Sequence, residues 1–176
     1  MPYTILILTL LSTFAFGHTT PPNETWAPWK FFIGAWEGRG EGQSGEARIE
    51  REYQFVLGTR YLHVKNKSVY APQEKNPKGE VHEDWGMISY DRGRKRFVLR
   101  QFHVEGFVNH YALDSLAADH KTIVLVTEGI ENIPAGWRAK ERYTILNEDE
   151  FIEVFSLAEP GKEFEVYSES RFQRKK

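Results

Sequence analysis

The sequence contains no cysteine, and it has no large excess of charge of either sign. Without cysteine there are no disulfide bonds and no thiolates, which excludes cysteine catalysis and cysteine-ligated metal sites. The 23 basic and 25 acidic residues leave a formal net charge of −2, so no nucleic-acid partner is indicated. The fold must therefore be stabilised by packing and by closure of its secondary structure.

Long hydrophobic stretches are also scarce, apart from one at the N-terminus. Residues 1–17 carry no charged side chain, and apolar residues dominate from Ile5 to Phe16. Ala15 and Gly17 are small residues at the spacing of a signal-peptidase site, and the stretch is shorter than the roughly 20 residues of a membrane span. We predict a secretory signal peptide over 1–17 and a secreted or periplasmic protein without stable membrane insertion. Because no Lys or Arg precedes the apolar run, an uncleaved anchor is the alternative.

Helix signals are nearly absent from residues 18–176, which have the length of a single domain. Apolar and polar residues alternate over 47–55 with a period of two, and 71–81 form the one long loop. We predict about ten strands joined mostly by hairpin turns, with a short helical turn over 28–33. Such a meander favours an all-β, antiparallel up-and-down barrel, because closure removes exposed strand edges.

Glycine occurs at alternate positions in residues 32–42, at the start of this meander. Alternate glycines leave one face of a strand bare, so that another backbone or a flat ligand can approach closely. The pattern Gly-x-Trp-x-Gly-x-Gly around Trp36, with the ending Ser-Arg-Phe-Gln-Arg-Lys over 170–175, resembles the calycin superfamily. That group includes lipocalins, fatty-acid-binding proteins and nitrobindin-like haem-binding barrels. The glycine-rich pattern is most similar to the nitrobindin-like branch.

The resemblance carries two expectations about site residues. In calycins the Trp of the first strand typically packs under an Arg of the last strand, which implies that Trp36 stacks on Arg171 and closes one end of the barrel. Nitrobindin-like proteins bind haem through a His in the last strand, and residues 165–174 contain none. We therefore expect no haem or other cofactor; an iron ligand would have to be Tyr167 or His103.

Several predicted strands carry polar residues on the same face as large apolar ones, as in Phe97-x-Leu99-x-Gln101-x-His103. If such faces point into the barrel, the polar groups cost free energy unless they hydrogen-bond with each other or with a ligand. Aromatic neighbours on these faces would supply contact area. The predicted ligand-binding residues are Trp36, Tyr53, Trp85, Gln101, His103, Asn109, Tyr111, Glu141 and Tyr143.

These residues favour non-catalytic binding of a small, mostly hydrophobic molecule inside the barrel. One alternative is an enzyme or haem protein that uses His103 and Glu141 as a polar acid–base pair. Another is a structural or interaction barrel filled by its own side chains. A metal site is not expected, because alternation puts His82 and Asp84 on one face and Glu83 on the other, so only two ligands converge locally.

Overall fold

The computed structural model describes residues 24–176, and the predicted signal peptide lies outside them. The described part begins with a short helix, α1 (Ala27–Lys30), and continues as ten strands. No helix among the described residues has the length and apolar character to cross a membrane. The strands are β1 (Gly34–Gly42), β2 (Gly45–Val56), β3 (Tyr61–Tyr70), β4 (Glu80–Asp91), β5 (Arg96–His103), β6 (Val108–Leu116), β7 (Thr122–Glu131), β8 (Arg138–Asn147), β9 (Glu150–Ala158) and β10 (Glu165–Arg174).

The ten strands form one closed antiparallel barrel. Each strand pairs with its neighbours in sequence, and β10 pairs with β1 to complete the ring. In this ring β4 and β9 lie five places apart, on opposite sides of the barrel. The predicted all-β, up-and-down barrel with a short N-terminal helix is confirmed.

The period-two pattern decides which side chains enter the barrel. On β2 the residues Ala47, Ile49, Arg51 and Tyr53 are buried, and the residues between them are exposed. Arg51 therefore points inward despite its charge. Its inward position is the first sign that part of the interior is polar.

The glycines of β1 face inward and are covered by side chains of β10. A Cβ atom built on Gly38 would lie 2.7 Å from the Phe172 ring, and one built on Gly40 would lie 2.6 Å from Ser170 Oγ. The bare face of β1 is therefore closely approached, as the sequence predicts. The groups that approach it are side chains of the barrel itself.

Helix α1 closes one end of the barrel with aromatic side chains. Trp29 and Phe32 are buried, and the indole N–H of Trp36 donates a hydrogen bond of 2.7 Å to the carbonyl oxygen of Phe32. Rings in this region meet mostly edge to face or tilted, the geometry that aromatic pairs prefer. We call this region the aromatic end; it comprises Trp26, Trp29, Phe31, Phe32, Trp36, Phe55, Phe97 and Phe151.

Arg174 covers Trp36, so the expectation that Arg171 does so is wrong. The Arg174 guanidinium lies 4.2 Å from the Trp36 ring centre and donates hydrogen bonds of 2.9 and 2.7 Å to the carbonyl oxygens of Ile33 and Phe31. Arg171 points outward, 60% exposed, in an ion pair with a glutamate of β9. Alternation along β10 explains the difference, because residues 172 and 174 share the inward face and residue 171 does not.

Candidate functional site

The opposite half of the interior, towards the His82 end of β4, is lined by polar side chains. Most of them are under one-tenth exposed, which is unusual for charged residues. Burying a polar group destabilises the fold unless the group has a hydrogen-bond partner, so each of these side chains requires one. We call this region the polar end; it comprises Arg51, Asn66, His82, Asp84, Gln101, His103, Asn109, Tyr111, Glu141, Tyr143 and Glu153.

A chain of charge-assisted hydrogen bonds crosses this region from β9 to β5. Arg51 forms an ion pair of 2.8 Å with Glu153 and donates a hydrogen bond of 2.9 Å to Asn66 Oδ1. The Asn66 amide donates to Asp84 Oδ2 over 2.8 Å, and the Gln101 amide donates to Asp84 Oδ1 over 2.9 Å. The Asp84 carboxylate is therefore held in one orientation from two sides.

Two histidines meet beside this carboxylate. His82 Nε2 lies 3.4 Å from Asp84 Oδ2 and 3.4 Å from His103 Nδ1, while His82 Nδ1 lies 2.7 Å from Glu105. Burial opposes charge on His82, but the hydrogen bonds with Asp84 and Glu105 outweigh it and raise its pKa to about 9. Burial lowers the pKa of His103 to about 4. At neutral pH the first ring is thus charged and the second is neutral.

The electrostatics of Asp84 follow from the same contacts. Burial acts to raise the pKa of Asp84, but the hydrogen bond with His82 and the positive charge of Arg51 hold it below its usual range. The side chain is only 4% exposed. Asp84 is therefore a buried carboxylate that stays charged.

A second branch leads from His103 to β6, the next strand beyond β5. The Asn109 amide lies 3.1 Å from His103 Nε2 and donates a hydrogen bond of 3.1 Å to the Tyr111 hydroxyl. The Phe107 ring stacks on the His103 ring, with centroids 4.0 Å apart. These contacts fix the plane of the His103 ring.

Glu141 accepts a hydrogen bond from the Tyr143 hydroxyl and also hydrogen-bonds with Tyr111. Burial, followed by the negative charge of Glu153, raises the pKa of Glu141 to about 8. In the described residues Glu141 makes no direct contact with His103. The predicted His103–Glu141 acid–base pair is therefore not formed.

Two acceptor atoms at the polar end are buried without a hydrogen-bond partner among residues 24–176. They are the side-chain carbonyl oxygens of Gln101 and Asn109. These residues face each other across β5 and β6. Such orphaned acceptors are rare, because each costs about 1–3 kcal/mol of desolvation.

An apolar wall faces the polar one. Phe155 and Leu157 on β9 and Ile130 on β7 are part-buried inward residues that pack against the core. Because β9 lies opposite β4 in the ring, Phe155 and Leu157 are across the barrel from His82 and Asp84. The opening at this end is therefore amphipathic.

Two shallow concavities lie on the outer wall of the barrel. One runs beside Trp85 and Lys65, and the other runs beside Arg48 and Arg171. Neither of these two includes His103.

The structure brings together four of the predicted ligand-binding residues, Gln101, His103, Asn109 and Tyr111. Glu141 and Tyr143 lie in the same half of the barrel as a second pair. Trp36 and Tyr53 belong instead to the packing around α1, although the Tyr53 hydroxyl reaches the Arg51 guanidinium at 3.4 Å.

The prediction that Trp85 lines the interior is wrong. Its side chain is 57% exposed and lies on the outer wall against His63. The reason is alternation along β4: Asp84 and Gly86 are buried and inward, so the residue between them points outward.

Sequence reasoning placed Glu153 on an inward face, where it is buried, but did not identify Arg51 or Asn66 as parts of the site. A charged or amide side chain at a position whose strand neighbours are apolar was the available signal for each. His82 and Asp84 were recognised as sharing a face, and this is confirmed. Their contact with His103 depends on the register of β4 against β5, where Asp84 is opposite His103.

No protein-family model matches the chain, and no curated protein matches its sequence. The fold is similar to the crystal structure of Rv2717c from M. tuberculosis, with a TM-score of 0.64 and 16% identity over 86% of this chain and 98% of that one. It is also similar to the S-type phycobiliprotein lyase CPES from Guillardia theta, with a TM-score of 0.52 and 13% identity over 83% and 89% of the two chains. At these identities the likeness concerns the fold, which fits a calycin-like barrel; membership of the nitrobindin-like branch stays a prediction.

Proposed function

We propose that this protein binds a small organic molecule at the polar end of the barrel. The observation that best supports this proposal is the pair of unpartnered acceptors, Gln101 Oε1 and Asn109 Oδ1. A ligand with an N–H or O–H group would satisfy them and remove their desolvation cost. The proposed ligand is therefore a molecule with at least one hydrogen-bond donor.

The apolar wall supports a mostly hydrophobic body for this molecule. Ile130, Phe155 and Leu157 keep part of their surface exposed at the opening, and covering apolar surface contributes about 25 cal/mol per Å². The donor group would point towards β5 and β6, and the apolar body would lie against β7 and β9. A few placed polar groups facing a largely apolar wall are typical of small-molecule sites.

The proposal is for binding without catalysis. Of the two groups that would form the acid–base pair, His103 is held by Asn109 and Phe107, and Glu141 is held by Tyr143. No direct contact joins them within residues 24–176. Because each group is already engaged by its own neighbours, we propose a role in binding for this part of the interior.

The test is native mass spectrometry of the full chain purified from cells, followed by identification of any released small molecule. Gln101→Met removes the orphaned acceptor at nearly constant length, together with the donor to Asp84 Oδ1, and Gln54→Met makes the same replacement on the exposed face of β2. We expect a retained mass in the wild type and in Gln54→Met, and a several-fold lower occupancy in Gln101→Met. Equal occupancy in both variants, or no retained mass and no binding in a thermal-shift screen of small amphipathic molecules, would favour a barrel filled by its own side chains.

A further inference from the structure

Three side-chain atoms at the barrel opening converge as metal ligands do. His82 and Asp84 are two residues apart on β4, and His103 lies opposite Asp84 on β5. His82 Nε2 lies 3.4 Å from both Asp84 Oδ2 and His103 Nδ1, and all three atoms lie within 4.8 Å of one another. Glu83 points away to the outer wall and pairs with Lys67 at 3.1 Å.

We propose that His82, Asp84 and His103 bind a divalent metal ion of the zinc type in tetrahedral geometry. With metal–ligand bonds of 2.0–2.1 Å, a tetrahedral ion separates neighbouring ligand atoms by about 3.3–3.4 Å. An octahedral ion with similar bonds, such as Mg²⁺, would require about 2.9 Å between neighbouring ligands and prefers oxygen. The two 3.4 Å separations and the two imidazoles therefore fit zinc.

The groups behind the three ligands are arranged to orient them. Glu105 lies 2.7 Å from His82 Nδ1, so a proton on Nδ1 leaves the Nε2 lone pair free towards Asp84 and His103. This is the carboxylate–histidine arrangement that accompanies zinc ligation in many sites. Asn66 and Gln101 donate to the two oxygens of Asp84, which fixes the carboxylate.

The third ligand is held in the same manner. Ligation through Nδ1 puts the ring proton on Nε2, and the Asn109 side-chain amide, 3.1 Å away, accepts a hydrogen bond from it once the amide is turned to present Oδ1. In the metal-bound protein Asn109 Oδ1 is then satisfied, and of the two unpartnered acceptors only Gln101 Oε1 remains for an organic ligand. The ring therefore keeps its position when Nδ1 is the ligating atom. The Phe107 ring stacks on one face of the His103 ring.

A site with three protein ligands leaves a fourth position for water or a small ligand. Since His82 and His103 are only part-buried, this position is reachable from the opening. The metal site goes beyond the proposed binding of an organic molecule and does not rest on it. The alternative is that the site holds no metal and that a protonated His82 Nε2 faces Asp84 directly. The test must distinguish these two states.

The test uses the full chain, stripped with a chelator and titrated with Zn²⁺ in a calorimeter. We expect one equivalent of Zn²⁺ to bind, and Co²⁺ in its place to give the intense visible bands of four-coordinate cobalt. His103→Gln should weaken Zn²⁺ binding by at least about 100-fold, since it removes a ligand, whereas Glu105→Gln should weaken it by about 10-fold, since it removes only an orienting group.

His110→Gln is the matched control, because His110 also pairs with a carboxylate, Glu131, at 2.6 Å but on the outer wall. It should leave Zn²⁺ affinity unchanged. Circular dichroism confirms that each variant is folded; if His103→Gln is not, the Glu105→Gln titration and the cobalt spectrum decide. Absence of stoichiometric binding, equal affinity in His103→Gln and His110→Gln, or the weak bands of octahedral cobalt would overturn the proposal.

Discussion

The aromatic end and the polar end of this barrel are formed by the same strands, but they bury opposite kinds of surface. At the aromatic end the Trp36 N–H and the Arg174 guanidinium find their partners within the chain. At the polar end the carbonyl oxygens of Gln101 and Asn109 do not. The aromatic end keeps one buried donor without a partner among residues 24–176, the Trp29 indole N–H, whereas the polar end keeps these two acceptors beside charged groups. The two ends therefore differ in the chemistry of the groups that they leave unpaired.

The difference teaches where stability and where binding reside in one barrel. Edge-to-face rings under α1 supply apolar burial without ionisable groups. The polar end buries Asp84, whose pKa is lowered, and Glu141, whose pKa is raised to about 8, and displaced pKa values of this kind cluster at functional sites. We therefore expect substitutions at the first end to change stability alone, and substitutions at the second to change binding and pH dependence.

The largest effect should come from Trp36→Ala at the aromatic end. Trp36 is 1% exposed, so its loss leaves a cavity beneath Arg174 and beside Phe151. We expect the free energy of unfolding to fall by about 3–5 kcal/mol, measured by equilibrium denaturation with urea. A loss below about 1 kcal/mol would mean that this end does not carry the stability of the barrel.

The next effect is a pH dependence that belongs to the polar end. The pKa of Glu141 is raised from 4.5 to about 8 in the folded protein, so folding takes up a proton between those values. The free energy of unfolding should therefore fall as pH rises through this window. Glu141→Gln, which stays neutral, should remove the Glu141 part of this slope and stabilise the protein at pH 8–9 by on the order of 2–4 kcal/mol. A smaller slope above pH 6.5 should remain, because the pKa of His82 is raised to about 9.

Thermal unfolding from pH 4 to 9 measures this slope, and Glu169→Gln on the exposed face of β10 is the control. The control should keep the wild-type slope. If Glu141→Gln also keeps the wild-type slope, Glu141 is ionised in the folded protein and does not take up a proton on folding.

A smaller effect separates the two arginines of β10. Arg174→Ala removes three hydrogen bonds to carbonyl oxygens, an ion pair with Asp149 and the contact with Trp36, and we expect a loss of about 2–3 kcal/mol. Arg171→Ala removes only an exposed ion pair with Glu150, and we expect a loss below about 0.5 kcal/mol. Urea denaturation of both variants measures the difference, and equal losses would contradict the assignment of Arg174 as the residue that closes the barrel.

Sequence periodicity was sufficient to predict the barrel, because period-two alternation and hairpin turns are local properties. It was not sufficient for contacts that depend on register between strands. The stacking partner of Trp36 lies three residues from the predicted one, because the family pattern does not specify which residues of β10 point into the barrel. His103 joins His82 and Asp84 only because β4 and β5 pair with Asp84 opposite His103.

The network around Arg51 illustrates a second limit. Glu153, its partner at 2.8 Å, is about one hundred residues away in sequence, and neither residue forms a recognisable motif with the other. The sequence does place both on faces with apolar neighbours, which indicates burial. Which buried charges meet each other is decided only by closure of the ring.

The smallest effect is expected from Trp85→Ala, which tests the boundary of the polar end. Trp85 lies between Asp84 and Gly86 in sequence, yet it is 57% exposed on the outer wall with an edge contact to His63. Removing an exposed ring should change the free energy of unfolding by less than about 0.5 kcal/mol and should leave small-molecule occupancy in native mass spectra at the wild-type level. A loss of occupancy would place the ligand in the concavity between Trp85 and Lys65 and would move the site from the inside of the barrel to its outer wall.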